Sequence, residues 1–84
     1  MKDFNRVALV SGAAQGIGFA CAEALSNDGA FVILADINKD AVHQAATHIG
    51  KSATGICVDM SDAEAILKLF DTIETKFGPV EVLV

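Results

Sequence analysis

The stretch Val7-Ala8-Leu9-Val10-Ser11-Gly12-Ala13-Ala14-Gln15-Gly16-Ile17-Gly18 decides the fold. It begins as a short apolar run and turns into a segment punctuated by Gly12, Gly16 and Gly18. From Gly16 the apolar period changes. Ile17, Ala20, Cys21, Ala24 and Leu25 fall at i, i+3, i+4, i+7 and i+8, one face of a helix. A buried strand that enters a helix through a glycine turn opens a parallel α/β unit.

The same alternation continues outward from this stretch. Gly29 stops the first helix pattern. Phe31 to Ala35 is β-branched and aromatic, a second strand ending at Asp36. Asn38 offers an N-cap to a helix whose face is Ala41, Val42, Ala45, Ala46 and Ile49, stopped by Gly50. Ile56-Cys57-Val58 is a third strand ending at Asp59. Ser61-Asp62-Ala63-Glu64 has the form of a capping box, with Ser61 as the cap. Ile66, Leu69, Phe70, Ile73 and Phe77 mark the third helix face, which Gly78-Pro79 ends, and Val80 to Val84 opens a fourth strand. The pattern is β-α-β-α-β-α-β. Crossovers of this length are right-handed and give parallel strands. The expected fold is a Rossmann-type doubly wound α/β sheet, its first half, with strand order 3-2-1-4.

Bulk properties agree with that class. The 84 residues are 52% hydrophobic and 20% charged, with a mean hydropathy of +0.47. Parallel strands are buried on both faces and need such a composition. A net charge of −5 argues against nucleic acid or an anionic membrane as partner. No apolar run approaches the roughly 20 residues of a transmembrane helix, and no signal peptide is visible, so the cytoplasm is the expected location. Cys21 and Cys57 make no disulfide framework and sit in apolar patterns, where buried thiols are expected.

The glycines carry the chemistry. A helix N-terminus offers unpaired amides and a partial positive charge to a pyrophosphate. Side chains at the turn would hold the phosphates away. Gly12 serves the sharp exit from the strand, while Gly16 and Gly18 allow close approach of ligand and close packing of helix on strand. Asp36, 18 residues after Gly18, stands close to the roughly 20 expected of the carboxylate that accepts from the adenosine ribose. A carboxylate there favours NAD and repels the 2′-phosphate of NADP. The neighbouring positions hold Gln15 and Ile37, not arginine, and Lys39 is the nearest compensating cation. At the end of the third strand, Asp59 is placed to accept from an adenine amino group, beside the Met60 amide; a plain turn-capping role for Asp59 is the competing reading. The candidate cofactor-binding set is therefore Gly12, Gln15, Gly16, Ile17, Gly18, Asp36, Ile37, Asp59 and Met60. His43 and His48 lie off the apolar stripe with a spacing unsuited to a shared metal, and no metal site is expected.

Ser11-Gly12-Ala13-Ala14-Gln15-Gly16-Ile17-Gly18 resembles the T-G-x-x-x-G-I-G motif of the short-chain dehydrogenase/reductase family, with serine in place of threonine. Asp36 matches that family's NAD-selecting acidic position. Asp59-Met60 resembles its adenine-contacting pair, and Gly78 to Val84 looks like the strand leading to its Asn-Asn-Ala-Gly motif. The resemblance implies hydride transfer between nicotinamide and a small alcohol or carbonyl substrate, in a protein that is commonly a homo-oligomer with the third helix at an interface. It also places the catalytic asparagine, serine and Tyr-x-x-x-Lys beyond the position of Val84. This chain contains no tyrosine, so no catalytic residue is assigned within it. The expectation is one domain over residues 1–84, the NAD-binding half of a reductase truncated before its catalytic half. Two alternatives stand beside it: a non-catalytic nucleotide-binding module complete at 84 residues, and a fragment of an S-adenosylmethionine-dependent methyltransferase. A kinase or GTPase is excluded, because no Gly-Lys-Ser/Thr follows the glycines.

Overall fold

Val7 to Val10 and Phe31 to Ala35 are buried along their whole length, with apolar side chains on both sides of each strand. Two such runs are stable only side by side in a sheet covered on both faces. In a computed structural model, which describes residues 4–84, they form that centre. The elements run β1 (Val7–Ser11), α1 (Gly16–Asn27), β2 (Phe31–Asp36), α2 (Lys39–Ile49), β3 (Ala53–Cys57), α3 (Ala63–Lys76) and β4 (Val82–Leu83). The four strands are parallel in the order β3-β2-β1-β4. Register places Val7 beside Phe31 and Ser11 beside Ala35, so β1 and β2 end level at the carboxyl edge of the sheet.

Side chains alternate between the faces of a strand. Ala8, Val10, Val32 and Leu34 point to one face, under Ala22 of α1 and Val42, Ala45 and Ala46 of α2. Val7, Leu9, Phe31, Ile33 and Ala35 point to the other, under Leu69 and Ile73 of α3. Two helices on one face and one on the other is the arrangement of the predicted half-fold.

The fourth strand is confined to Val82–Leu83 rather than running over Val80 to Val84, and four other local readings differ from the structure. The inward face of α1 is Gly18, Cys21, Ala22 and Leu25, rotated from the predicted stripe; Ile17 is 84% exposed, and Ala20 and Ala24 also face out. The helix mixes small residues with Ile17, Phe19 and Leu25, so periodicity does not fix its phase; contact at Gly18 does. A Cβ on Gly18 would overlap the Gly12 carbonyl oxygen and lie 2.9 Å from its carbon. The third strand begins at Ala53, ahead of the apolar signal, because Ala53-Thr54-Gly55 is half-buried edge strand. Gly55 there lets α2 close in: a Cβ would stand 2.8 Å from the Val42 carbonyl oxygen. Helix α3 is capped by Asp62, whose carboxylate accepts from the Glu64 and Ala65 amides at 3.0 and 3.2 Å. Ser61 instead donates to Asp59. Finally, Cys21 is only partly buried and Cys57, at the end of the edge strand, is exposed.

Candidate nucleotide-binding site

Open parallel sheets bind ligands beyond the carboxyl ends of their strands. Here that edge carries three turns, after β1, β2 and β3, and each is held differently.

The turn after β1 is built from backbone. Gly12 and Gly16 have φ of +58° and +64°, left-handed values that a side chain disfavours. A Cβ at either glycine would meet nothing within 4 Å, so the space beside both is open. Gln15 occupies the N-cap of α1 in extended conformation, and its side chain caps nothing. By contrast, Asn38 caps α2 through the Ala41 amide at 3.0 Å, and Asp62 caps α3. The first amides of α1 are thus left without a side-chain partner, and no acidic side chain stands in its first turn. Such an N-terminus suits a ligand that brings its own negative charge.

The turn after β2 is built around Asp36. One carboxylate oxygen accepts from the Ala14 amide of the glycine turn at 3.1 Å, and the other from the Asn38 amide at 3.1 Å. An ionised carboxylate has about four acceptor positions, so each oxygen keeps capacity for a ligand hydroxyl.

The turn after β3 is an Asx-type turn. Asp59 Oδ1 accepts from the Ser61 amide at 2.9 Å and from the Ser61 hydroxyl at 2.6 Å. The Ser61 hydroxyl, then its amide, holds the Asp59 carboxyl below the usual carboxylate range. Asp59 is therefore a charged acceptor at neutral pH. The turn-capping role considered for it is present in the structure.

These turns enclose a cleft of about 330 Å³ lined by Ser11, Gly12, Asp36, Ile37, Val58, Asp59, Met60 and Ser61. Five candidates, Gly12, Asp36, Ile37, Asp59 and Met60, come together there. Gln15, Gly16, Ile17 and Gly18 do not line it. Gly16, Ile17 and Gly18 open α1, and Gln15 faces a groove between α1 and α2 with Phe19, Gln44 and His48. The lining supplies carboxylates and no cation, which suits hydroxyl and amino donors and opposes an added phosphate. A larger groove of about 430 Å³ runs beside β3, past His43, Lys51 and Thr54, but no carboxylate lines it. Among the described residues, no group of three His, Cys, Asp or Glu side chains is placed to hold a metal, and no helix is long and apolar enough to cross a membrane.

Sequence reasoning missed the part played by Ser11, Val58 and Ser61. Ser11 donates through both its amide and its hydroxyl to the Val84 carbonyl, each at 3.0 Å, so it joins β1 to the end of the chain. The Asp59-x-Ser61 spacing is itself an Asx-turn signal. Ala14 could not be found in this way, since its partner Asp36 is distant in sequence.

Comparison with known proteins bears on the family and the fold. The short chain dehydrogenase family profile matches residues 6–84. Galactitol 2-dehydrogenase of Agrobacterium fabrum is 38% identical over 84 residues, covering 100% of this chain and 33% of the relative. The 3-oxoacyl-[acyl-carrier-protein] reductase of Haemophilus influenzae is 35% identical over 80 residues, covering 95% and 33%. Among solved structures, a 3-ketoacyl-(acyl-carrier-protein) reductase from Brucella melitensis complexed with NADH matches with a TM-score of 0.89 and 30% identity, over 95% of this chain and 33% of that one. The chain thus spans about a third of the length of these relatives. With a sheet of order β3-β2-β1-β4, an uncapped α1 behind a glycine turn and a profile match over residues 6–84, the chain belongs to the short chain dehydrogenase family.

Proposed function

We propose that this chain is the cofactor-binding portion of an NAD(H)-dependent oxidoreductase acting on an alcohol or carbonyl substrate. The observation that carries the reading is Asp36, a carboxylate set between the glycine turn and the cleft. The open space at Gly12 and Gly16 fits a pyrophosphate against the amides of α1, with Gly18 allowing the helix to sit close. Gln15, Ile17 and Ile37 flank the cofactor. Asp36 accepts from the adenosine ribose, and Asp59 and the Met60 amide address the adenine edge. The nicotinamide, when bound, supplies the hydride chemistry. Residues beyond the third of the family's length represented here supply the catalytic groups and most substrate contacts. Family membership weighs against the methyltransferase alternative, since the glycine spacing and the relatives point to nicotinamide. The intact protein is read as a cytoplasmic homo-oligomer.

The preference for NAD over NADP follows from charge. Asp36 would face the 2′-phosphate with no arginine beside it. Replacing Asp36→Ala together with Ile37→Arg in the full-length protein removes the repulsion and adds a phosphate donor. NAD affinity should fall about tenfold and NADP affinity should rise, read by titration of each reduced cofactor. An unchanged preference would show that Asp36 is not the ribose ligand.

A further inference from the structure

The glycine turn is a conformational problem. Two left-handed glycines, Gly12 and Gly16, bracket it, and glycine has the largest backbone freedom to lose. Its helix end has no side-chain cap. A phosphate cradle of loose backbone would have to be ordered by the ligand, at a cost in affinity. Some contact must hold it open beforehand.

Two contacts reach the turn from β2. The Ala13 amide donates to the Ala35 carbonyl at 3.2 Å. The Ala14 amide donates to Asp36 Oδ2 at 3.1 Å. The second is the one side-chain hydrogen bond made to residues 12–18 among the described residues. Asp36 is itself fixed from the far side, because Oδ1 accepts from the Asn38 amide and Asn38 caps α2. The carboxylate therefore links the glycine turn to the N-terminus of α2.

We propose that Asp36 is a positioning residue for the phosphate-binding turn, in addition to the ribose contact on whose cofactor reading this inference rests. Through the Ala14 amide it keeps the turn in its ligand-ready conformation. It thereby contributes to the affinity of ligands that have no ribose hydroxyl to offer. One consequence is that exchanging Asp36 to change cofactor preference also loosens the turn that both cofactors use.

The test compares Asp36→Asn with Asp36→Ala in the full-length protein. Both lose the same charge, but asparagine retains an oxygen able to accept from the Ala14 amide. The probes are ADP and 2′,3′-dideoxyadenosine 5′-diphosphate, which lacks both ribose hydroxyls. They are titrated at a temperature where circular dichroism shows each variant folded, so lost stability alone cannot move the affinity. Hydrogen exchange at the Ala14 amide is followed without ligand. The proposal predicts that the alanine variant binds the dideoxy nucleotide about five- to tenfold more weakly than the asparagine variant, with faster Ala14 exchange. Equal dideoxy affinities overturn the positioning role, and so does unchanged Ala14 exchange. Wild-type protein that binds neither nucleotide overturns the cofactor reading itself, which the wild-type arm alone reveals.

Discussion

The two ends of the sheet are built on opposite plans. At the carboxyl end, turns meet through backbone amides and carboxylates, and open space is kept at Gly12 and Gly16. At the amino end, side chains close on one another. Arg6 pairs with Asp28 at 2.6 Å, and Asn5 donates to the Asp28 carbonyl and, through its amide, to that of Gly29. Phe31 stacks on Phe77 at 4.8 Å between ring centroids and meets Phe4 edge-on at 5.2 Å. One end leaves hydrogen-bonding capacity for a ligand. The other spends its contacts on joining the segment before β1 to the α1–β2 turn and to the end of α3. On the proposed reading one end serves binding and the other stability, and substitutions can pull the two apart.

The largest effect belongs to Gly18→Ala. The new Cβ strikes the Gly12 carbonyl, backbone that cannot rotate away. Overpacking of this kind costs about 1–3 kcal/mol. The atom that must yield belongs to the turn proposed to hold the phosphates, so NADH affinity should fall roughly ten- to a hundredfold, measured by fluorescence titration. Retained affinity would count against placing the cofactor at this end of the sheet. At the opposite end, Phe77→Ala should lower stability by about 2 kcal/mol in chemical denaturation, with NADH affinity unchanged within twofold. A comparable loss of affinity would break the division between the two ends.

The smallest effect concerns Asp59. Its pKa is lowered in the folded chain by the Ser61 hydroxyl and amide. A lowered carboxylate pKa adds stability above the unfolded value, and that stability is lost as the pH falls through the folded one. Ser61→Ala removes the stronger of the two bonds. The Asp59 carboxyl resonance should then titrate at higher pH, while behaviour at neutral pH changes little. An unmoved titration would show that the hydroxyl bond does not form in solution.

Much of this was legible in the sequence because strand burial and helix period are strong signals here. Val7–Val10 and Phe31–Ala35 are apolar on both faces, which leaves a central parallel strand as the natural reading. Asn38 announced its cap correctly, since it is the only strong cap residue just before α2. Where two cap residues were adjacent, at Ser61 and Asp62, the choice between them was settled by an Asx turn at Asp59 that competes for the serine. The phase of α1 was illegible for another reason. A helix in which alanine, glycine and cysteine alternate with Ile17, Phe19 and Leu25 has no pronounced apolar stripe, and its orientation follows from backbone contact at Gly18. The candidate site was readable as residue types at strand ends. Its assembly was not, because the Ala14–Asp36 bond joins residues 22 apart in sequence.

The most direct test of the account is titration of NADH and NADPH into the full-length protein carrying this chain, with Gly18→Ala alongside. The account predicts saturable NADH binding, weaker NADPH binding, and loss of affinity in the variant that leaves the protein folded. Absence of NADH binding, or binding that Gly18→Ala does not alter, would contradict the assignment of the carboxyl end of the sheet as the cofactor site.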